Sequence, residues 1–303
     1  MIDSFLTPLD ADDLFASDLL PGMLGYHLAV NTGGHADIVG ADMAILGIQD
    51  ARTDGLNQGT SLAAGRVRRK LYRLMKPQAF GKVADIGNIE AGATVQDTLF
   101  ALRTVLHELQ DKGIVTLLIG GNELLAAQQY AVLKEKHRHL DLLYIGRKVD
   151  LREGSLLYNI VLDEPNHLFN LTALGYQTYL TEQESLDAME RMFFESVRLG
   201  TLRSQPETAE PLFRGADAAI FDCSAIKQGD FPGFSDPSPN GLRNEEACQL
   251  MRYAGLSHHL QSMGFYNYNP DFDNNSQSAG QLAQMIWFFL EGFYQRKEEH
   301  PLK

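Results

Sequence analysis

The chain has 303 residues, 44% hydrophobic and 21% charged, an ordinary balance for a globular protein. Its formal net charge of −13 repels polyanions and argues against a nucleic-acid partner. No apolar run is long enough to span a bilayer, and the acidic start (Asp3, Asp10, Asp12, Asp13) has no signal-peptide pattern. The two cysteines, Cys223 and Cys248, form no metal-spaced pair, so the expectation is a reduced, cytoplasmic protein with no membrane partner.

Short apolar runs alternate with helical patterns along the whole chain. Asp42 to Ile48 reads as a buried strand, residues 61–75 as a basic helix, Lys82 to Ile86 as a strand and residues 94–112 as a helix. The basic stretch Arg66 to Lys70 with Arg73 reads as a solvated helix face. Ile114 to Ile119 is the clearest buried strand, followed by a helix over 123–136 and the strand Leu140 to Ile145. Leu174 to Leu180 reads as a strand. Residues 183–199 read as a helix with Leu186, Met189, Phe193 and Val197 on one face. Ala218 to Phe221 and Met263 to Asn267 read as strands, 243–255 and 278–296 as helices.

No linker, repeat or low-complexity run interrupts this alternation. It predicts one α/β domain over residues 1–303, a three-layer α/β/α arrangement around a mainly parallel sheet. Ligands bind such sheets beyond the carboxyl ends of the strands. Those ends carry Gly120-Gly121-Asn122-Glu123, Gly146-Arg147-Lys148-Val149-Asp150 and Asp222-Cys223-Ser224. Asn240 to Glu246 opens a later helix.

The order of these segments resembles the arginase, agmatinase and formimidoylglutamase superfamily, its formimidoylglutamase-like branch in particular. Asn57-Gln58-Gly59-Thr60 with Arg68 is similar to that family's early Asn-x-Gly turn and arginine. Asp85-Ile86-Gly87-Asn88 looks like its DxGN strand, Leu174 to Gln177 its GxQ strand, Phe265 to Asp273 its NPxxD segment and Gln281 to Lys297 its tail. The resemblance implies an arginase-like ureohydrolase fold of about eight strands. Residues 41–297 would be its core and residues 1–40 an N-terminal extension. It also implies a homo-oligomer.

Active members of that family hold two Mn²⁺ ions on two histidines and four aspartates, and use them to activate water against a guanidinium-type carbon. This sequence departs from the pattern at the ligands. The Gly-Gly-Asp-His motif ends here in Asn122 and Glu123. In the Asp-x-His-x-Asp motif the first aspartate is Gly146 and the histidine Lys148; only Asp150 remains. In the Asp-x-Asp motif Asp222 remains and the second aspartate is Ser224. Glu246 matches the family's substrate-facing glutamate, and no counterpart of its catalytic histidine stands near Ser155.

The expectation is therefore a catalytically degenerate member, a pseudoenzyme with a binding or scaffold role and a vestigial cleft of Glu123, Lys148, Asp150, Asp222, Ser224 and Glu246. No cofactor is expected. The Lys148 ammonium would replace the lost cations by pairing with Asp150, Asp222 or Glu123. A formimidoylglutamase-like hydrolase is the competing reading. Others are one divalent cation on Glu123, Asp150 and Asp222, and a desolvated Lys148 acting as base or nucleophile. Blander roles suit the rest. Cys223 reads as core, His137-Arg138-His139 and His258-His259 as structural, and Trp287 as core or subunit packing. Arg52, two residues after Asp50, suits either a ligand carboxylate or an ion pair.

Overall fold

The computed structural model describes residues 2–11, 19–52 and 55–296; Asp12, Asp13 and Lys297 lie outside them. Among the described residues nine strands form one sheet: β1 (Ala29–Val30), β2 (Met43–Gln49), β3 (Val83–Glu90), β4 (Val115–Ile119), β5 (Leu140–Ile145), β6 (Leu168–Tyr176), β7 (Glu195–Arg198), β8 (Ala218–Asp222) and β9 (Ser262–Tyr266). They lie in the order β1-β3-β2-β4-β9-β8-β5-β6-β7, and every pairing is parallel. The helices are α1 (Ala63–Leu71), α2 (Val95–Asp111), α3 (Ala127–Leu133), α4 (Leu156–Val161), α5 (Gln183–Arg191), α6 (Leu199–Ser204), α7 (Ala209–Gly215), α8 (Asn244–Leu256) and α9 (Gln277–Phe293).

Side chains alternate across each strand, so a strand covered on both faces feeds two cores. Met43 and Ile45 of β2, with Leu117, Ile119 and Phe265, face a core closed by Val67, Leu71, Met251, Leu282 and Ile286 of α1, α8 and α9. Ala44, Leu46 and Ile48, with Leu118 and Ile220, face the opposite core, closed by Leu102, Val105, Leu109 and Tyr130 of α2 and α3. This gives the three layers. Helix α2 starts where Thr94 Oγ1 accepts the Asp97 N–H at 3.2 Å and Asp97 Oδ2 accepts the Thr94 N–H at 2.7 Å, a reciprocal cap.

Three segments depart from the sequence reading. The strand expected at Leu174 to Leu180 begins earlier, as β6, and Thr178–Leu180 forms a 3-10 turn. The helix expected over 183–199 ends at Arg191. Phe193 takes a left-handed φ of 58° and is 92% exposed, and Phe194 packs on the core instead. The chain then forms edge strand β7, too short and polar to show an apolar run. Some of the described residues before 41 also join the core fold. β1 extends its edge, Leu24 is fully buried, and Thr7 bridges Asn88.

Arg68 is buried, not on the solvated face expected for its basic helix. Its Nε and Nη2 donate to the two oxygens of Asp85 at 2.8 and 2.9 Å, and Nη1 donates to Asn88 Oδ1 at 2.6 Å. Tyr72 adds a 2.7 Å bond to Asp85. Gly87 follows with φ 99°, and a Cβ there would lie 2.3 Å from the Thr7 carbonyl oxygen, so the residue must be glycine. The Asp85-Ile86-Gly87-Asn88 motif is thus a buried ion-pair scaffold that ties α1 to β3.

Candidate functional site

Strands β4, β5, β8 and β9 are neighbours in the middle of the sheet, and their carboxyl ends bring the site together. Beyond β4, Asn122 Oδ1 accepts the Leu124 N–H at 2.8 Å and caps the short 3-10 turn Glu123–Ala126, which sets Glu123 at its start. Asp222 ends β8, and its Oδ1 accepts the Ser224 N–H at 3.0 Å while Ser224 Oγ donates to Oδ2 at 2.5 Å. Beyond β9, Asn267 adopts φ 67°, a left-handed conformation that asparagine tolerates.

Two donors bridge the two carboxyl groups. The Tyr144 hydroxyl of β5 lies 3.3 Å from Glu123 Oε2 and 3.5 Å from Asp222 Oδ2. Asn267 Nδ2 donates to Asp222 Oδ1 at 2.9 Å and to Glu123 Oε2 at 3.4 Å, while its Oδ1 accepts the Glu123 N–H at 3.1 Å. Burial, then the nearby Asp222 charge, pushes the Glu123 carboxyl up to about 8, so the pair holds a proton at neutral pH. Burial and the same two carboxyl groups push the Tyr144 phenol well above its ordinary range.

A second cluster lies alongside. Lys148 Nζ donates to Asp150 Oδ2 at 3.0 Å, and Arg152 grips Asp150 with two bonds, Nε to Oδ1 at 2.9 Å and Nη2 to Oδ2 at 2.6 Å. Arg152 and then Lys148 hold the Asp150 carboxyl well below the usual carboxylate range. Among the three partners expected for Lys148, the ion pair is with Asp150. Glu123, Asp150, Arg152 and Ser155 line a cleft of about 350 Å³.

The remaining candidates lie outside these clusters. Glu246 Oε1 accepts from Arg203 Nε at 3.2 Å and its Oε2 from the Arg243 N–H at 2.8 Å, so it caps α8. Arg52 closes on its own neighbour Asp50 (Nη2 to Oδ2, 2.6 Å) and on the Gly92 carbonyl, the ion-pair alternative. Cys223 and Cys248 are buried and free of disulfides. His137 meets Gln261 and His139 meets Phe169 edge to face, away from the carboxyl ends of the strands. Trp287 Nε1 donates to the Met75 carbonyl at 2.5 Å.

Residues 41–290 match the profile described as the Arginase family. The chain belongs to the arginase family. A formimidoylglutamase from Citrobacter koseri is 23% identical over 273 residues, covering 83% of this chain and 85% of that one. A Trypanosoma cruzi formiminoglutamase crystallised with Mn²⁺ superposes with a TM-score of 0.77 at 18% identity, covering 86% of this chain and 95% of that one. For formimidoylglutamase from Bacillus subtilis the TM-score is 0.73 at 16% identity, with coverage of 84% and 88%. Arginase from Bacillus cereus gives 0.68 at 14%, with coverage of 85% and 99%. These likenesses establish the arginase-like fold.

The family resemblance aligns Glu123, Gly146, Lys148, Asp150, Asp222 and Ser224 with the ligands of the manganese pair, and none of them is a histidine. Among the described residues no group of three or more His, Cys, Asp and Glu side chains is placed to hold a metal ion. This includes Glu123, Asp150 and Asp222, and Asp150 already spends its oxygens on Lys148 and Arg152. Sequence reasoning did not single out Tyr144, Arg152 or Asn267. Two signals were available: a tyrosine one residue before the end of a mostly aliphatic strand, and the charged alternation Lys148-x-Asp150-x-Arg152. Asn267 carried no comparable sign.

Proposed function

We propose that this member of the arginase family works without manganese, as a binding or scaffold protein that keeps the cleft and has lost the hydrolytic chemistry. The Lys148–Asp150–Arg152 cluster is the observation that carries this reading. Lys148 sits where the family resemblance puts a metal-binding histidine, and its ammonium repels a cation by about 4 kcal/mol per unit charge pair at 4 Å and an effective dielectric near 20. Asp150, one of two retained ligand positions, is neutralised by side chains. The reading carries with it a cytoplasmic homo-oligomer, whose subunit number light scattering on the purified protein would check.

The test is metal content. Protein incubated with excess Mn²⁺ and desalted should retain none, and EDTA should leave its melting temperature unchanged. Two ions per chain, or a melting temperature lowered several degrees by EDTA, would sink the proposal. A second reading, a hydrolase acting on a C–N bond of a formimidoyl or guanidino compound, draws on the formimidoylglutamase relative. It requires release of formamide or urea above a Lys148→Ala control.

A further inference from the structure

Tyr144 and Gly146 are two residues apart in extended chain, so side chains at both positions stand on one face. Gly146 has none, and the Tyr144 ring leans into the space. An ideal Cβ on Gly146 would lie 2.3 Å from Tyr144 Cε1, 2.5 Å from Cζ and 2.6 Å from the hydroxyl oxygen. Real Cβ atoms do not come so close. The ring cannot swing away cheaply, because Tyr144 is only 4% exposed and its hydroxyl is aimed between Glu123 and Asp222. The backbone offers no objection to a side chain, since Gly146 is not among the positive-φ glycines.

We infer that Tyr144 occupies the space that a ligand side chain at position 146 needs, so that a steric plug closes the end of β5 to a metal ion. The inference rests on the metal-free reading and deepens it. The resemblance aligns Gly146 with the first aspartate of the family's Asp-x-His-x-Asp motif, so a carboxylate there and the Tyr144 ring would compete for one volume. Tyr144 and Asn267 bridge Asp222 and Glu123 with neutral donors. The plug and the missing ligands are therefore coupled changes, and putting the ligands back is not enough to restore a site.

A double-mutant cycle tests this. Gly146→Ala should lower the melting temperature by roughly 5 °C in the wild-type background, and by less than about 1 °C in the Tyr144→Ala background, where the ring is gone. Tyr144→Phe keeps the ring, so Gly146→Ala should still cost its full shift there. Tyr144→Val replaces Tyr144→Ala if the latter does not fold. Equal shifts in the ring-bearing and ringless backgrounds would overturn the inference. So would retention of Mn²⁺ by a Gly146→Asp, Lys148→His, Ser224→Asp variant that keeps Tyr144. Manganese retained by the wild-type protein would instead end the metal-free reading itself, whereas additivity in the cycle leaves that reading intact.

Discussion

Asp85→Ala should destabilise the protein by about 3–5 kcal/mol, the usual cost of removing one partner of a buried ion pair. Arg68 and Asp85 side chains are both 0% exposed. The substitution strands a guanidinium among apolar neighbours, with Asn88 Oδ1 and the Gly87 carbonyl as its remaining acceptors and no countercharge. The 2.7 Å bond from the Tyr72 hydroxyl to Asp85 is lost as well. The loss should come from the unpaired charge rather than from missing volume. Asp85→Leu combined with Arg68→Met, which leaves no charge behind, should then cost less than Asp85→Ala alone. Urea denaturation of the three proteins measures both quantities. A loss under about 1 kcal/mol for Asp85→Ala would mean that water reaches the pair.

Glu123→Gln should become more stable relative to wild type as pH rises from about 5 to 8. The sign follows from proton counting. An unfolded glutamate titrates near 4.3, whereas burial and Asp222 hold the folded Glu123 at about 8. Between these values the unfolded chain has released its proton and the native protein keeps it, so wild-type stability falls with rising pH. The raised value makes the contribution unfavourable above the unfolded pKa, and the penalty is complete only above the folded one. Glutamine does not titrate and escapes it. The upper limit is about 5 kcal/mol from the size of the shift, and about 2–4 kcal/mol is expected because the cleft admits solvent. Paired urea melts at pH 5, 6, 7 and 8 measure the difference. A flat difference would show that Glu123 is ionised throughout.

These two carboxyl groups also show how far the chain could be read before folding. Asp85 belongs to a motif with a family counterpart, yet its partner Arg68 stands in a run of basic residues whose simplest meaning is a wet helix face. Helix α1 turns Arg68 inward while Arg66 and Lys70 stay exposed. Helical phase separates them, and which phase faces the sheet is a tertiary matter. Glu123 was legible as a strand-end residue, but its protonation depends on burial and then on Asp222, which is distant in sequence and adjacent only because β4, β9, β8 and β5 lie in that order.

The sequence by itself determined the alternation of strands and helices, the strand ends that carry the candidate site, and the identities, Glu123 and Lys148, at the two positions the resemblance aligns with family histidines. Those properties are local: apolar periodicity, turn residues and residue identity at a motif position. Only the tertiary structure decided that Lys148 pairs with Asp150 and that Arg152 joins it. Only there does Tyr144 lean over Gly146, or Asn267 span Glu123 and Asp222. Each of these is a contact or a competition for volume, which depends on strand order, side-chain direction and what is left out at the neighbouring position.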